Sequence, residues 1–249
     1  MRLTPERSSA ADRPGGRGPM AAALLALALL GGCASTGPGV ARDPLEPLNR
    51  VVFAFNDQAD ELLVRPAARV YQAVVPEVLR IAVGNVVNNL LEPWTVVNQL
   101  LQAKPVEAAA GAARFVLNST LGLAGVVDIA TPIGLERSPE DLGQTLGRWG
   151  VPAGPYLVLP LLGPSSLRDA AGTAGAYRLD PVWHTADGDQ RSAFTFFFVL
   201  ETRVRLFGSE RLIEGAALDR YSFIRDGYLQ RRRNLVYDGN PPPLKEDDE

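Results

Sequence analysis

Histidine and cysteine are almost absent from this chain of 249 residues, which contains one of each. A single cysteine cannot form an internal disulfide, and a single histidine argues against a histidine-ligated metal centre. Charge is also scarce, since 21% of the residues are charged and the formal net charge is −3. That balance argues against nucleic acid as a partner, because nucleic-acid binding uses a clustered basic face. Hydrophobic residues make up 46% of the chain, which excludes a wholly disordered protein.

Motifs for common enzymatic chemistry are absent as well. The sequence has no GxxxxGK[ST] phosphate loop, no HExxH and no Gly-x-Ser-x-Gly elbow, although Ser165 follows Gly163-Pro164. We interpret His184 as a packed or surface histidine. Asp128 is the one charge between positions 114 and 136, and we expect its apolar surroundings to raise its pKa. One carboxylate without a partner is a weak sign of catalysis, and we favour the interpretation of Asp128 as a helix-packed aspartate with a hydrogen bond. The chain is predicted to be no enzyme and to hold no cofactor or metal.

The first 33 residues are typical of an export signal. Four arginines precede an uninterrupted apolar stretch over 20–30, which is too short to span a bilayer. Leu30-Gly-Gly-Cys33 follows, and small residues before a lone cysteine resemble a bacterial lipobox. That resemblance implies cleavage before Cys33 and a lipid anchor on its sulfur and new amine. The alternative is a soluble export signal that happens to end near a cysteine. Ser35, in place of aspartate, favours the outer membrane.

This interpretation divides the chain into four segments. Residues 1–32 form the signal peptide, 33–42 a lipidated tether, 43–237 a helical domain, and 238–249 a disordered acidic tail. Removal of the signal peptide takes away four arginines and two acidic residues and leaves a net charge of −5. The tether reaches roughly 30 Å at most. The domain is therefore expected to lie against the membrane surface.

Hydrophobic periodicity and proline positions predict an all-α fold, a single mainly helical domain. No alternating strand series is present. The first predicted helix begins at Asp43-Pro44 and breaks or kinks at Pro66. The others cover about 76–91, 93–101, 107–117 (opened by Pro105), 138–150, 190–207 (with Gly208 just past its end) and 219–237.

Three stretches carry alternative interpretations. Residues 149–167 are uncharged and contain four prolines, so they form either a buried loop-rich core or a bent segment lining a cavity at the membrane. The helix over 190–207 is apolar around most of its circumference, which is typical of burial in a core or in lipid. The run Arg231-Arg232-Arg233 is interpreted as a solvated helix end rather than a ligand site.

Ordered motifs across 43–237 resemble those of the MlaA/VacJ outer-membrane lipoproteins. They are Asp43-Pro-Leu-Glu-x-x-Asn-Arg50, Asn85-x-x-x-Asn89-Leu-x-x-Pro93, Arg114-Phe-x-x-Asn-Ser-Thr-x-Gly-x-x-Gly-x-x-Asp128, Gly143-Gln-Thr-Leu-Gly-x-Trp-Gly150, Gly154-Pro-Tyr-x-x-Leu-Pro160 and Gly163-Pro-Ser-x-x-Arg-Asp169. The chain departs from the usual family pattern at Ala54, Leu142 and Arg220. None of these departures removes a known reactive group.

The resemblance implies a ring of amphipathic helices seated in one leaflet, the inner leaflet of the outer membrane. It implies a central amphipathic channel through which mislocalised outer-leaflet phospholipids leave. A soluble periplasmic lipid carrier of the MlaC type would receive them, and the ring would dock beside a trimeric porin. The implied location is the periplasmic face of the outer membrane of a Gram-negative bacterium, with Cys33 as the lipid anchor.

The segment from Gly163 to Asp169 is the candidate lipid-contact site. Motif and chemistry place Gly163, Pro164, Ser165, Arg168 and Asp169 near the channel, with Arg168 attracting a phosphate. The alternative is an Arg168–Asp169 pair that only stabilises a helix start. Two other functions remain open: a membrane-anchored phospholipase or acyltransferase, and a structural porin-associated lipoprotein without transport activity.

Overall fold

The computed structural model describes residues 43–179, 187–216 and 219–243, with 209–216 as helix backbone alone. The chain divides into two compact units, Met1–Pro44 and Leu45–Glu249, and the second carries the fold. The predicted signal peptide, Cys33 and the tether lie outside the described residues. The same holds for His184 and for the acidic tail from 244 onward.

Eight α-helices make up most of the described chain, which confirms the mainly helical prediction. They are α1 (Glu46–Ala59), α2 (Arg65–Val74), α3 (Glu77–Leu101), α4 (Pro105–Thr120), α5 (Leu142–Arg148), α6 (Leu167–Leu179), α7 (Gly188–Ala216) and α8 (Arg220–Val236). A π-helical turn, Asp60–Val64, joins α1 to α2, and a 3₁₀ turn covers Thr131–Ile133. Two short strands, β1 (Tyr156–Leu159) and β2 (Gly163–Ser166), pair antiparallel.

Two helices begin later than the sequence predicts. Helix α1 starts at Glu46 rather than at Asp43-Pro44, with Leu45 in the N-cap position. Helix α5 starts at Leu142 rather than near 138, and the Asp141 carboxylate caps it by accepting from the Gln144 amide at 2.9 Å. The residues before Asp141 stay extended because α3 side chains hold them; the Gln99 amide, for example, donates to the Ser138 carbonyl.

Pro66 interrupts the first helix without ending it. The π-helical turn over 60–64 precedes α2 and leaves Pro66 in the first turn of that helix. Because helix precedes it, Pro66 leaves a carbonyl of the preceding turn without a backbone N–H donor, and the wider π-helical turn lies where that hydrogen bond is missing. The chain therefore stays helical from Glu46 to Val74.

Pro93 lies inside α3, so the prediction of two separate helices over 76–91 and 93–101 was wrong. An interior proline removes one backbone hydrogen bond and strains the preceding turn. Here α3 packs against α4 on both sides of the proline. A Cβ placed on Gly111 of α4 would meet Glu92 on one side and Val96 on the other. This close interface compensates for the local loss.

The uncharged segment contains a β-hairpin that the sequence analysis missed. Side chains of α1 complete the free edge of β1: Asn49 donates to the Tyr156 carbonyl at 2.9 Å and accepts from the Val158 amide at 2.9 Å. One heptad further on, Asn56 donates to the Leu159 carbonyl and accepts from the Leu161 amide, at 2.9 and 2.7 Å. These two asparagines satisfy strand groups that would otherwise lack partners.

Helix α7 runs through Gly208, which was predicted to end it. A helical glycine costs about 1 kcal/mol relative to alanine, which is too little to stop a long helix. One face of α7 is buried, where Leu200 and Val204 pack against Ala68 and Tyr71 of α2. The aromatic side chains Phe196, Phe197 and Phe198 are exposed. Of the two interpretations of this helix, burial in a protein core thus holds for one face alone.

The described residues have an inverted distribution of polarity. Twelve hydrophobic residues are buried, against twenty that are polar or charged. The largest fully buried side chains are all polar: Gln99, Asn49, Asn98, Thr145 and Ser166. Thirty-five large hydrophobic residues are exposed. Soluble proteins rarely bury charge so freely or expose so much contiguous apolar surface. Within the described part of the chain, no helix is both long and apolar enough to cross a membrane.

Candidate functional site

Three adjoining cavities meet at one arginine. Cavity A measures about 400 Å³, cavity B about 450 Å³ and cavity C about 460 Å³, and Arg232 lines all three. Asp141 lines A and B, whereas Asp169 lines A and C. Cavity A is amphipathic. Its apolar wall includes Leu91, Trp94, Leu142, Leu159, Leu162 and Phe198.

Arg232 joins α8 to the beginnings of α5 and α6. Its two terminal nitrogens donate to both oxygens of Asp141, at 2.6 and 2.9 Å. Its Nε and Nη2 also donate to the two oxygens of Asp169, at 3.1 and 2.9 Å. Paired N–H groups on one carboxylate give the strong bidentate geometry for which arginine is suited. We call Arg232, Asp141, Asp169, Tyr228 and Arg168 the cavity cluster.

Both carboxylates of this cluster have partners besides Arg232. The Tyr228 hydroxyl donates to Asp169 at 2.7 Å, and Arg168 donates to Asp169 through Nε and Nη2, both at 3.1 Å. Asp141 accepts from the Gln144 amide as the cap of α5. Two guanidinium groups thus face two carboxylates, and the cluster is neutral.

The cluster shifts the pKa of its members in opposite directions. Burial by itself raises the pKa of Asp169, but hydrogen bonds and charge from Arg232, with further bonds from Tyr228 and Arg168, bring the pKa below its usual range. Burial likewise raises the pKa of Asp141, but the hydrogen bonds and charge of Arg232 bring it below its usual range. Burial and the hydrogen bond to Asp169 raise the pKa of Tyr228. Both carboxylates are therefore ionised at neutral pH.

Close contact between α5 and α6 brings the two carboxylates together. A Cβ on Gly172 would lie 2.5 Å from the Gly143 nitrogen and 2.8 Å from its Cα. Real Cβ atoms do not approach a backbone so closely, so only glycine allows this packing. The family motifs that contain Gly143 and Asp169 thus describe one helix–helix contact.

The structure brings part of the predicted lipid-contact segment to the cavities. Pro164, Ser165 and Asp169 line cavity A, and Arg168 and Asp169 line cavity C. Gly163 begins β2 with a positive φ of 83° and serves the hairpin turn. Arg168 is buried and paired with Asp169, which is the geometry of the pairing alternative. Contact of any of these residues with a lipid stays a prediction.

Sequence reasoning missed Arg232, and its interpretation as part of a solvated helix end was wrong. The side chain is 13% exposed and takes part in the two ion pairs described above. Spacing offered no usable signal, because Arg231 and Arg232 both follow Tyr228 by about one helical turn. Nothing in the local sequence distinguishes it from Arg231, which is exposed.

A second polar cluster joins α3 and α4 to the loop that follows them through hydrogen bonds and ion pairs. Arg114 donates to Thr131 at 3.0 Å and to Asp128 at 3.4 Å, and it also bonds the Leu135 carbonyl. Its Nε lies 3.8 Å from Glu92, and Asn118 donates to Asp128 at 3.1 Å. We call Glu92, Arg114, Asn118, Asp128 and Thr131 the α3–α4 clamp. It borders a cavity of only about 150 Å³.

The prediction of a raised pKa for Asp128 was wrong. Burial does raise it, but hydrogen bonds from Thr131 and Asn118 and the charge of Arg114 outweigh burial and hold the pKa at about 2. The sequence showed an isolated acid in an apolar stretch. Its partners come from α4, where Arg114 and Asn118 stand one turn apart.

Known proteins resemble this chain over most of its length. The family model for the MlaA lipoprotein matches residues 41–235. The intermembrane phospholipid transport system lipoprotein MlaA of Shigella flexneri is 35% identical over 230 residues, which are 90% of this chain and 91% of that protein. The protein of the same name from Haemophilus influenzae is 30% identical over 232 residues, covering 90% and 92%.

A solved structure carries the same fold. It concerns the structural basis for maintenance of bacterial outer membrane lipid asymmetry, and it superposes with a TM-score of 0.71 at 34% sequence identity. The match covers 78% of this chain and 99% of that one. Together with the family model and the curated relatives, this shows that the chain belongs to the MlaA lipoprotein family.

Proposed function

We propose that this protein is an outer-membrane lipoprotein that removes mislocalised phospholipids from the outer leaflet and passes them toward the periplasm. The amphipathic cavity is the route. The relatives are lipoproteins of an intermembrane phospholipid transport system, and their shared length with this chain supports the same activity here.

One observation carries the proposal: many large hydrophobic side chains are exposed, while most of the buried residues are polar or charged. Exposed hydrophobic side chains suit contact with acyl chains, and buried charge beside the cavities suits a headgroup. Moving a charged headgroup through hydrocarbon costs several kcal/mol. An internal polar path lowers that barrier while the tails remain against apolar walls. In this scheme Pro164, Ser165 and Asp169 contact the lipid, and Arg168 positions Asp169.

The anchor, the location and the partners belong to the same proposal. Cys33 carries the lipid anchor, and the domain sits at the periplasmic face of the outer membrane in the inner leaflet. A soluble periplasmic carrier receives the lipid, and a trimeric porin lies beside the protein. The export signal, the short tether and the exposed apolar surface support this arrangement.

The proposed transport involves no catalytic step by this chain. Asp141 and Asp169 have pKa values below the usual carboxyl range, so they are poor general bases at neutral pH. No nucleotide-binding motif is present in the sequence, so the net direction of flow is set by gradients or by energy supplied elsewhere.

Outer-leaflet phospholipid in cells that lack this protein tests the proposal. We expect accumulation that the wild-type gene reverses and that Cys33→Ala does not. Rescue by both forms would keep transport and remove the requirement for the anchor. Normal lipid asymmetry in the deletion strain would overturn transport and favour a structural porin-associated lipoprotein.

A further inference from the structure

The ion pair between Arg232 and Asp141 is accessible from the cavities. The Asp141 side chain is 47% exposed although it caps a helix, and the pair lines both cavity A and cavity B. Both charges therefore border the two cavities.

Arg232 can leave this pair without stranding a buried carboxylate. If it turned away, Asp169 would keep Arg168 and Tyr228 as partners. Asp141 would keep the Gln144 amide and its access to water in the cavity. Removing one partner of a buried pair is expensive only when the other charge is left uncompensated. Arg232 is therefore the member of the cluster that is free to exchange partners.

A replacement for the pair has to carry both signs of charge. A phosphate on Arg232 leaves Asp141 without its cation. An ammonium on Asp141 leaves Arg232 and Arg168 to share the single negative charge of Asp169. A zwitterionic phosphate–ammonium headgroup supplies both at once, so every charge in the cluster stays paired.

The remaining charged groups around cavities A and B do not alter this balance. Arg137 is occupied by Glu92, and Glu140 is occupied by Lys104. Arg231 is exposed at cavity B and attracts the phosphate of any phospholipid equally.

We propose that the Arg232–Asp141 pair opens to receive the headgroup of an aminophospholipid, with the phosphate on Arg232 and the ammonium on Asp141. The inference rests on the proposed function and adds a preference to it, for zwitterionic over anionic phospholipid. A half-exposed charge pair is expected to change the binding constant by about fivefold.

The test is a competition on the full-length protein purified in detergent. The protein is incubated with equal amounts of phosphatidylethanolamine and phosphatidylglycerol that have the same acyl chains, and native mass spectrometry counts the bound lipids. We expect wild type to hold phosphatidylethanolamine about fivefold over phosphatidylglycerol. Asp141→Asn, which keeps an oxygen for the Gln144 amide, should bring the ratio close to one.

Matched variants separate recognition from folding. Asp219→Asn alters another helix cap that is paired with an arginine, here Arg50, and should leave the ratio unchanged. Arg231→Gln should weaken both lipids alike. A competition that needs no variant uses phosphatidylcholine, whose quaternary amine has no N–H to donate; it should bind less well than phosphatidylethanolamine.

Each outcome bears on a different claim. Equal binding of all three lipids by wild type, or an unchanged ratio in Asp141→Asn, overturns the headgroup inference and leaves transport intact. A wild-type protein that binds no phospholipid, in a strain with normal lipid asymmetry, overturns the proposed function itself.

Discussion

The α3–α4 clamp and the cavity cluster are built from the same chemistry and differ in the space beside them. Each pairs arginine with aspartate. The clamp closes on about 150 Å³, whereas the cavity cluster adjoins three cavities of about 400 to 460 Å³. In the clamp the central arginine is shared among two carboxylates, Thr131 and the Leu135 carbonyl. The carboxylates of both clusters have further partners, so the adjoining space is what distinguishes the cavity cluster. Arginine–aspartate pairs therefore hold the clamp rigid, whereas in the cavity cluster they can exchange partners.

The largest effect is expected from opening the clamp. Arg114→Gln leaves Asp128 without a cation and Glu92 with Arg137 alone, and it removes the hydrogen bonds to Thr131 and the Leu135 carbonyl, so it should destabilise the protein by about 3–5 kcal/mol. Chemical unfolding in detergent measures the loss. Arg148→Gln, which removes an exposed ion pair with Asp238, is the control and should cost less than about 1 kcal/mol. Similar costs for the two variants would contradict the distinction between clamp and surface.

The next effect concerns the contact that aligns the two cavity carboxylates. Gly172→Ala drives a methyl group into the α5 backbone and should cost about 1–3 kcal/mol. Gly227→Ala, on α8 with open space around it, should instead stabilise the protein by up to about 1 kcal/mol. Thermal unfolding of both variants measures the contrast. If Gly172→Ala left the unfolding temperature unchanged, this would show that α5 and α6 can separate easily.

Removal of the exchanging arginine should cost less stability than removal of the clamp arginine. Arg232→Gln leaves Asp169 with Arg168 and Tyr228, so we expect a loss of about 1–2 kcal/mol. Lipid export should nevertheless fall, as seen in outer-leaflet phospholipid of complemented cells. If Arg232→Gln were as unstable as Arg114→Gln, the comparison between the two clusters would fail.

The smallest effect is the pH dependence that Asp128 gives to the clamp. The folded pKa of Asp128 is about 2, below its ordinary value of 3.8, so its contribution is complete above the ordinary value and is lost as the pH falls toward 2. The difference in Tm between wild type and Asp128→Asn should therefore shrink below about pH 4. A constant difference from pH 7 to pH 2 would show that Asp128 stabilises through shape rather than charge.

Local signals predicted the elements that local interactions determine. Helix α8 was expected over 219–237 and covers Arg220–Val236, since its cap Asp219 and its aromatic spacing lie in one short stretch. The hairpin was missed because its edge partners, Asn49 and Asn56, lie about a hundred residues away on α1. The helix through Pro93 was missed for a similar reason, since its compensation comes from α4.

The residues of the candidate site show the same difference between local and distant signals. Asp169 was found because it ends the family motif Gly163-Pro-Ser-x-x-Arg-Asp169. Arg232 was passed over because its partners, Asp141 and Asp169, lie 91 and 63 residues away. Charge pairing across such separations leaves no local pattern, and a run of three arginines does not show which member turns inward.

The inverted polarity of the molecule also reverses its tolerance to mutation. In an ordinary globular protein the interior accepts hydrophobic swaps of similar volume, and the surface accepts most polar residues. Here the outer face of α7 should accept any apolar residue, whereas the buried asparagines and glutamines depend on directed hydrogen bonds that no other side chain reproduces. Neutral substitutions in this chain should therefore be mostly exchanges among leucine, valine and phenylalanine at exposed positions. The buried polar residues should change little.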